Sequence, residues 1–281
     1  MMGNGSVMLV TVTTALPSRT MLTAAAARAA HLVVDSEPVI FRDPLAAALL
    51  GDRADELIGY HRAHGGHPVL AGARAQVTCR SRVAEGLVVD GGQYVLLGAG
   101  LDSFAYRSTG TAVFEVDRPA AQNWKKQALE TAGIPIPDQV TFAESIVDCD
   151  LDETKPTLVS WLGVAMYLTL DEINSTLAAL PPCDLVLDHM LPEGQRDAAG
   201  DAYVAAVGPM AAENGEPWRT FLSADDAAAL LADHGFTVVR QLRQRDLPEM
   251  HDRADALRPA ALSVLTHAVR PGSRTGSPRR R

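Results

Sequence analysis

The chain has 281 residues, 47% hydrophobic and 21% charged, enough apolar material to bury the core of one large domain, which excludes disorder over most of its length. A formal net charge of −9 argues against a general nucleic-acid binder, and no run reaches the roughly 18 apolar residues of a membrane helix. Three scattered cysteines, Cys79, Cys149 and Cys183, form neither a disulfide framework nor a Cys-x-x-Cys metal site, and suit a reducing cytoplasm.

Residues 1–17 read as a loose leader, because the apolar stretch 7–16 lacks the preceding basic residue of a secretory signal. Residues 18–90 read as a helical cap. It holds a helix over 20–34 capped by Thr20 or Thr23, a short helix over 45–50 introduced by Asp43-Pro44, a glycine- and histidine-rich loop over 61–68, and a helix over 70–90. The core, 91–270, alternates strands and helices. Strands are expected at 94–97, 112–116, 141–147, 158–162 and 184–189, with helices at 119–131, 170–180 and 225–234. That alternation predicts an α/β, doubly wound, mostly parallel sheet. The runs 236–242 and 262–269, with no helix pattern between them, are expected as antiparallel neighbours at one side. Residues 191–222 read as a lid-like insertion, and 271–281 as a disordered basic tail.

The sharpest local feature is Leu97-Gly98-Ala99-Gly100-Leu101-Asp102-Ser103, directly after the first strand. Glycines there let the chain turn tightly and let a ligand approach the backbone at the carboxyl edge of the sheet. A dinucleotide fingerprint needs a third small residue, here Ser103, while Asp102 would set a negative charge beside a pyrophosphate. A plain tight turn satisfies the pair as well. Asp117, seventeen residues after Gly100, has two readings: it accepts hydrogen bonds from ribose hydroxyls, or it caps the helix that starts at Pro119.

Together with Asp43-Pro44-Leu45-Ala46, Arg80-Ser81-Arg82, Tyr106-Arg107, Phe114-Glu115-Val116-Asp117, Val147-Asp148, Trp161-Leu162-Gly163-Val164 and Met166-Tyr167-Leu168, these motifs follow one order over about residues 18–270. In that order and spacing the chain resembles the S-adenosylmethionine-dependent methyltransferases related to leucine carboxyl methyltransferase, in their bacterial, actinobacterial branch. The resemblance implies a Rossmann-like methyltransferase sheet and S-adenosyl-L-methionine as cofactor. It implies Arg80 for the cofactor's carboxylate, Gly98 and Gly100 along its methionine and ribose, Asp117 for the ribose hydroxyls, and Asp148 with Cys149 at the adenine. Only Lys125, Lys126 and Lys155 are lysines among the 25 basic residues, so by itself Arg80 also reads as one more surface arginine. Many relatives carry a glutamate where this chain has Leu162, which points to a rebuilt substrate side.

The expected reaction is O-methylation of a small organic acid or hydroxyl compound, with no nucleic-acid, membrane or metal partner. A carboxylate acceptor needs no base, whereas a hydroxyl does, and His189 beyond the fifth strand is the candidate. A loop or helix-start histidine is its other reading. Tyr167 either packs or offers a hydroxyl near the methyl group. A non-catalytic cofactor binder and a nicotinamide-dependent oxidoreductase are the rival functions. His61, His64 and His67 have loop spacing but no carboxylate or cysteine to complete a metal site.

Overall fold

Apolar runs four to five residues long, bounded by glycine or proline, become the central strands of the computed structural model, which describes residues 18–272. The leader (1–17) and residues 273–281 of the expected tail lie outside the described residues.

Four helices come first: α1 (Arg19–Val34), α2 (Ala46–Leu49), α3 (Ala54–His64) and α4 (Pro68–Glu85). Ser18, rather than Thr20 or Thr23, caps α1 by accepting from the Met21 amide. The loop expected over 61–68 is corrected, since His61 and His64 belong to α3 and only the turn before Pro68 separates it from α4. Leu22, Ala26 and Ala30 of α1 pack with Leu49 of α2 and Ile58 of α3.

The sheet is built from β1 (Gln93–Leu97), β2 (Ala112–Val116), β3 (Val140–Ala143), β4 (Thr157–Trp161), β5 (Cys183–Met190), β6 (Thr237–Leu242) and β7 (Ser263–Arg270), in spatial order β3-β2-β1-β4-β5-β7-β6. The first five strands are parallel, and β7 pairs antiparallel with both β5 and β6. The third strand is shorter than expected, because the chain leaves the sheet after Ala143 and forms a 3₁₀ turn, Ile146–Asp148.

The connecting helices are α5 (Phe104–Arg107), α6 (Pro119–Thr131), α7 (Leu170–Ala179), α8 (Ala198–Glu213) and α9 (Ala224–Asp233). Capping boxes start α7 (Thr169 with Glu172) and α9 (Ser223 with Asp226). One sheet face buries Val95, Val159 and Leu185 with Ile173 of α7 and Leu231 of α9. The other buries Tyr94, Leu96 and Val186 with Ala84 of α4 and Phe104 of α5. This two-sided burial is what a parallel sheet requires. It leaves the carboxyl edge of β1, β2 and β4 beneath α1 and the turn after β4. Half of the lid-like segment, 198–213, is the helix α8.

Candidate active site

At that carboxyl edge lies a cavity of about 220 Å³, with Arg80, Gly98, Gly100, Asp117, Leu162 and Tyr167 in its lining. The glycine loop forms its floor. Gly98 has φ of 73°, and a β-carbon there would fall 2.4 Å from a Val164 methyl, so only glycine fits. The amides of Gly98 and Ala99 both donate to the Val116 carbonyl, at 2.8 and 3.2 Å, turning the chain back over β2.

Asp117 Oδ2 accepts from the Gly100 amide at 2.8 Å, and Oδ1 from the Arg118 amide at 2.8 Å. The helix-cap reading fails here: Arg118 is the N-cap of α6 and makes no side-chain cap bond. Asp117 instead pins the glycine loop, and each carboxylate oxygen keeps a second lone pair.

The far end of the loop is anchored by the Asp43-Pro44 motif. Arg28 donates to Asp43 at 2.8 Å and to the Leu101 carbonyl at 2.6 Å, and Ser103 Oγ donates to Asp43 at 2.5 Å. Burial pushes the Asp43 carboxyl up, but Arg28, Ser103 and Arg107 together hold it below the usual carboxylate range.

Arg80 reaches the cavity from α4. Its Nη1 lies 3.3 Å from Asp188 Oδ2, and its guanidinium rests against Gly163. Asp188 is almost completely buried and also accepts from Gln76 Nε2 at 3.3 Å. Sequence reasoning missed Asp188 and chose its neighbour. The pleat decides between them: Val186, Asp188 and Met190 face the α4 side, whereas Leu185, Leu187 and His189 face away.

His189 is therefore corrected as a candidate base. It is 2% exposed, lines no part of the cavity, and has both ring nitrogens occupied, Nδ1 with the Leu222 carbonyl and Nε2 with Thr266 Oγ1, each at 3.0 Å. Burial pushes its pKa down, so it stays neutral. Asp148 and Cys149 are likewise not brought into the cavity. Asp148 is exposed on the 3₁₀ turn, and Cys149 packs against the apolar core.

Tyr167 ends a 3₁₀ turn, Ala165–Tyr167, and lines the cavity. Burial raises its hydroxyl pKa against the lowering effect of the neighbouring Trp218 and Thr20 side chains, so the group stays protonated at neutral pH. Leu162 adds an apolar contact where a carboxylate would have stood.

A second cavity, about 320 Å³, adjoins the first. Thr20, Ala24, Arg80, Gly163 and Tyr167 line both. The second is walled by Met166, Met190, Tyr203 of α8 and Trp218. The segment after α8 is stitched down by Arg219 and Leu222 amides donating to the carbonyls of Met166 (2.7 Å) and Met190 (2.9 Å). Across the top, Thr20 Oγ1 donates to Glu216 at 2.5 Å. Among the described residues, no histidine lines either cavity.

A parallel sheet with a ligand cavity at its switch edge and antiparallel strands beyond it defines a Rossmann-like methyltransferase architecture. The profile of the leucine carboxyl methyltransferase family matches residues 21–180. A Bacillus subtilis protein named "Putative S-adenosyl-L-methionine-dependent methyltransferase YktD" is 30% identical over 213 residues, covering 68% of this chain and 70% of its own length. A relative of the same description from Mycobacterium ulcerans is 29% identical, covering 62% of this chain and 65% of its own. Others are spanned over about half their length. Among solved structures, a "putative methyltransferase" from Thermobifida fusca shares the fold, with a TM-score of 0.55 at 16% identity, covering 92% of this chain and 96% of its own. The chain belongs to the leucine carboxyl methyltransferase family, and with it to the methyltransferases that use S-adenosylmethionine. No described helix is long and apolar enough to cross a membrane.

Proposed function

We propose that the chain methylates an oxygen of a small organic acid in the cytoplasm, binding S-adenosylmethionine in the first cavity and the acid in the second. One observation carries this reading: the two cavities share a wall at Arg80, Gly163 and Tyr167. The cofactor supplies a methyl group activated by a sulfonium. The residues present fit it. Gly98 and Gly100 leave the loop backbone bare beside the ligand, the spare lone pairs of Asp117 suit two ribose hydroxyls, and Arg80 suits a carboxylate.

Alignment of acceptor oxygen and methyl carbon is the main task of the protein. A carboxylate is ionised at neutral pH and needs no base. This suits a site in which the carboxylates are already engaged: Asp117 by two amides, Asp102 by the Phe104 amide, Glu216 by Thr20 and Glu56 by Arg53. With the cofactor bound, a carboxylate oxygen would take the methyl group in place of its carbon–sulfur bond, whose electron pair would stay on sulfur, so a neutral methyl ester and a neutral thioether would form with no proton released. A hydroxyl acceptor is disfavoured because Tyr167, with its raised pKa, is no base at neutral pH.

The test is turnover of methyl-labelled cofactor with a panel of small acids and phenols. Base-labile labelled esters are the expected product. Label on nitrogen or phenol oxygen alone, label on peptide C-termini alone, or a cofactor that binds without transferring its methyl to any acid would refute the proposal.

A further inference from the structure

We infer that the second cavity takes a planar aromatic acid, an inference that rests on the methyl-transfer reading above. The chain is poor in aromatic residues, with three tryptophans, five tyrosines and six phenylalanines. Four of them, Tyr167, Tyr203, Trp218 and Phe221, gather in one cluster with Met166, Met190 and Leu262. All of that set except Phe221 line the cavity. Aromatic faces and thioether sulfurs are polarizable and make specific contacts with flat π-systems that saturated rings cannot reproduce.

The walls are braced from behind. Tyr203 lies against α4 at Gly72, where a β-carbon would come within 2.9 Å of its ring, so the missing side chain lets the ring seat on the helix. Phe221 backs Trp218 edge-on, with ring centroids 6.5 Å apart. The aromatic surface is thus held in place by neighbours that do not themselves face the ligand.

Two features select an acid. Among the described residues Arg19, Arg53 and Arg80 line the cavity with one carboxylate, Glu56, which pairs with Arg53, and Arg80 faces Asp188, so Arg19 is the cation without an ion-pair partner there, although the chain as a whole carries a charge of −9. Local positive charge in a concave site draws anions. The Trp218 indole N–H, a donor only, is buried with no hydrogen-bond partner among the described residues. A ligand oxygen near the Tyr167 hydroxyl meets that demand. The aromatic body then lies among the methionines and rings, with its carboxylate toward the shared wall.

The test compares 2-naphthoate with its fully hydrogenated analogue, by calorimetry and tryptophan quenching, with and without S-adenosylhomocysteine. Simple transfer from water favours the saturated acid, so at least tenfold tighter binding of naphthoate is the expected and discriminating result. Trp218→Leu, and separately Tyr203→Leu, should remove most of that preference while affinity for S-adenosylhomocysteine stays within twofold, with thermal melts to confirm folding. Equal binding of the two acids, binding of neither, or a preference that survives in both variants would overturn the inference. If S-adenosylhomocysteine itself fails to bind, the methyl-transfer reading falls, and the acid comparison on the free protein still decides this one.

Discussion

The Arg80 guanidinium lies against the bare Cα of Gly163: a β-carbon built at residue 163 would fall 2.2 Å from Arg80 Nη1. Gly163 also has φ of 68°, where a side chain is strained whatever the space around it. The glycine thus fixes where the guanidinium rests, and Asp188 holds it there from the other side.

Gly163→Ala is expected to cost about 1–2 kcal/mol of backbone strain, with a further penalty from displacing Arg80. Cofactor affinity should fall at least tenfold. In the Arg80→Ala background the clash has no partner, so the stability cost of Gly163→Ala should shrink to the strain alone. A double-mutant cycle by denaturant unfolding measures the difference, and strict additivity would contradict the contact.

Asp117→Ala removes hydrogen bonds to a charged group, each worth roughly 1.5–3 kcal/mol. Because the carboxylate also holds the Gly100 amide, the free protein should lose stability as well, and the cofactor should weaken at least tenfold by calorimetry. Unchanged melting of the free protein would show that the loop keeps its shape without the carboxylate.

His189→Ala should lower stability by about 2–4 kcal/mol, from a cavity and the stranded Leu222 carbonyl and Thr266 hydroxyl. Turnover per folded molecule should stay within a few-fold of wild type. A loss of roughly 10²–10⁴ in rate, as removal of a proton acceptor gives, would mean that the buried ring swings into the site.

Two buried groups set opposing pH dependences. Burial and the nearby Asp102 raise Glu85 from 4.5 to about 7, against the pull of Arg107. The native state then holds this proton more tightly than the unfolded chain, so the stability from Glu85 is full below pH 4.5 and is lost as pH rises through about 7. Burial, and then Arg74, lower His61 from 6.5 to about 4, so its contribution is present above pH 6.5 and lost as pH falls through about 4. Each shift is worth on the order of 3 kcal/mol by linkage. Denaturant melts from pH 4 to 8 should show Glu85→Gln removing the fall toward pH 7, and His61→Gln removing the loss toward pH 4. Identical profiles in all three proteins would contradict both assignments.

The alternating strands, the glycine loop, Asp117 and the antiparallel β6–β7 pair were legible because each leaves a local mark: a short apolar run, a glycine boundary, or an acid closing a strand. The helix α3 was not, since glycine and histidine near its end look like a loop, and the partner that buries His61 is Arg74 on the next helix. Gly200, Gly208 and Pro209 likewise hide α8, although a β-carbon at Gly200 would fall 2.5 Å from the Ala261 carbonyl, so tertiary contact explains that glycine. The choice of His189 over Asp188 failed for a different reason. Nearly every residue of β5 is buried, on both faces, so hydrophobic alternation carried no information about which side meets the ligand.

A wall common to two cavities makes their occupants thermodynamically linked. Whatever factor a bound nucleoside imposes on the affinity for an acid, through Arg80 or Tyr167, the acid imposes equally on the nucleoside. Two half-molecules joined by a tether across that shared wall would convert the second binding step into an intramolecular one, a gain on the order of 10²–10⁴ over either half alone.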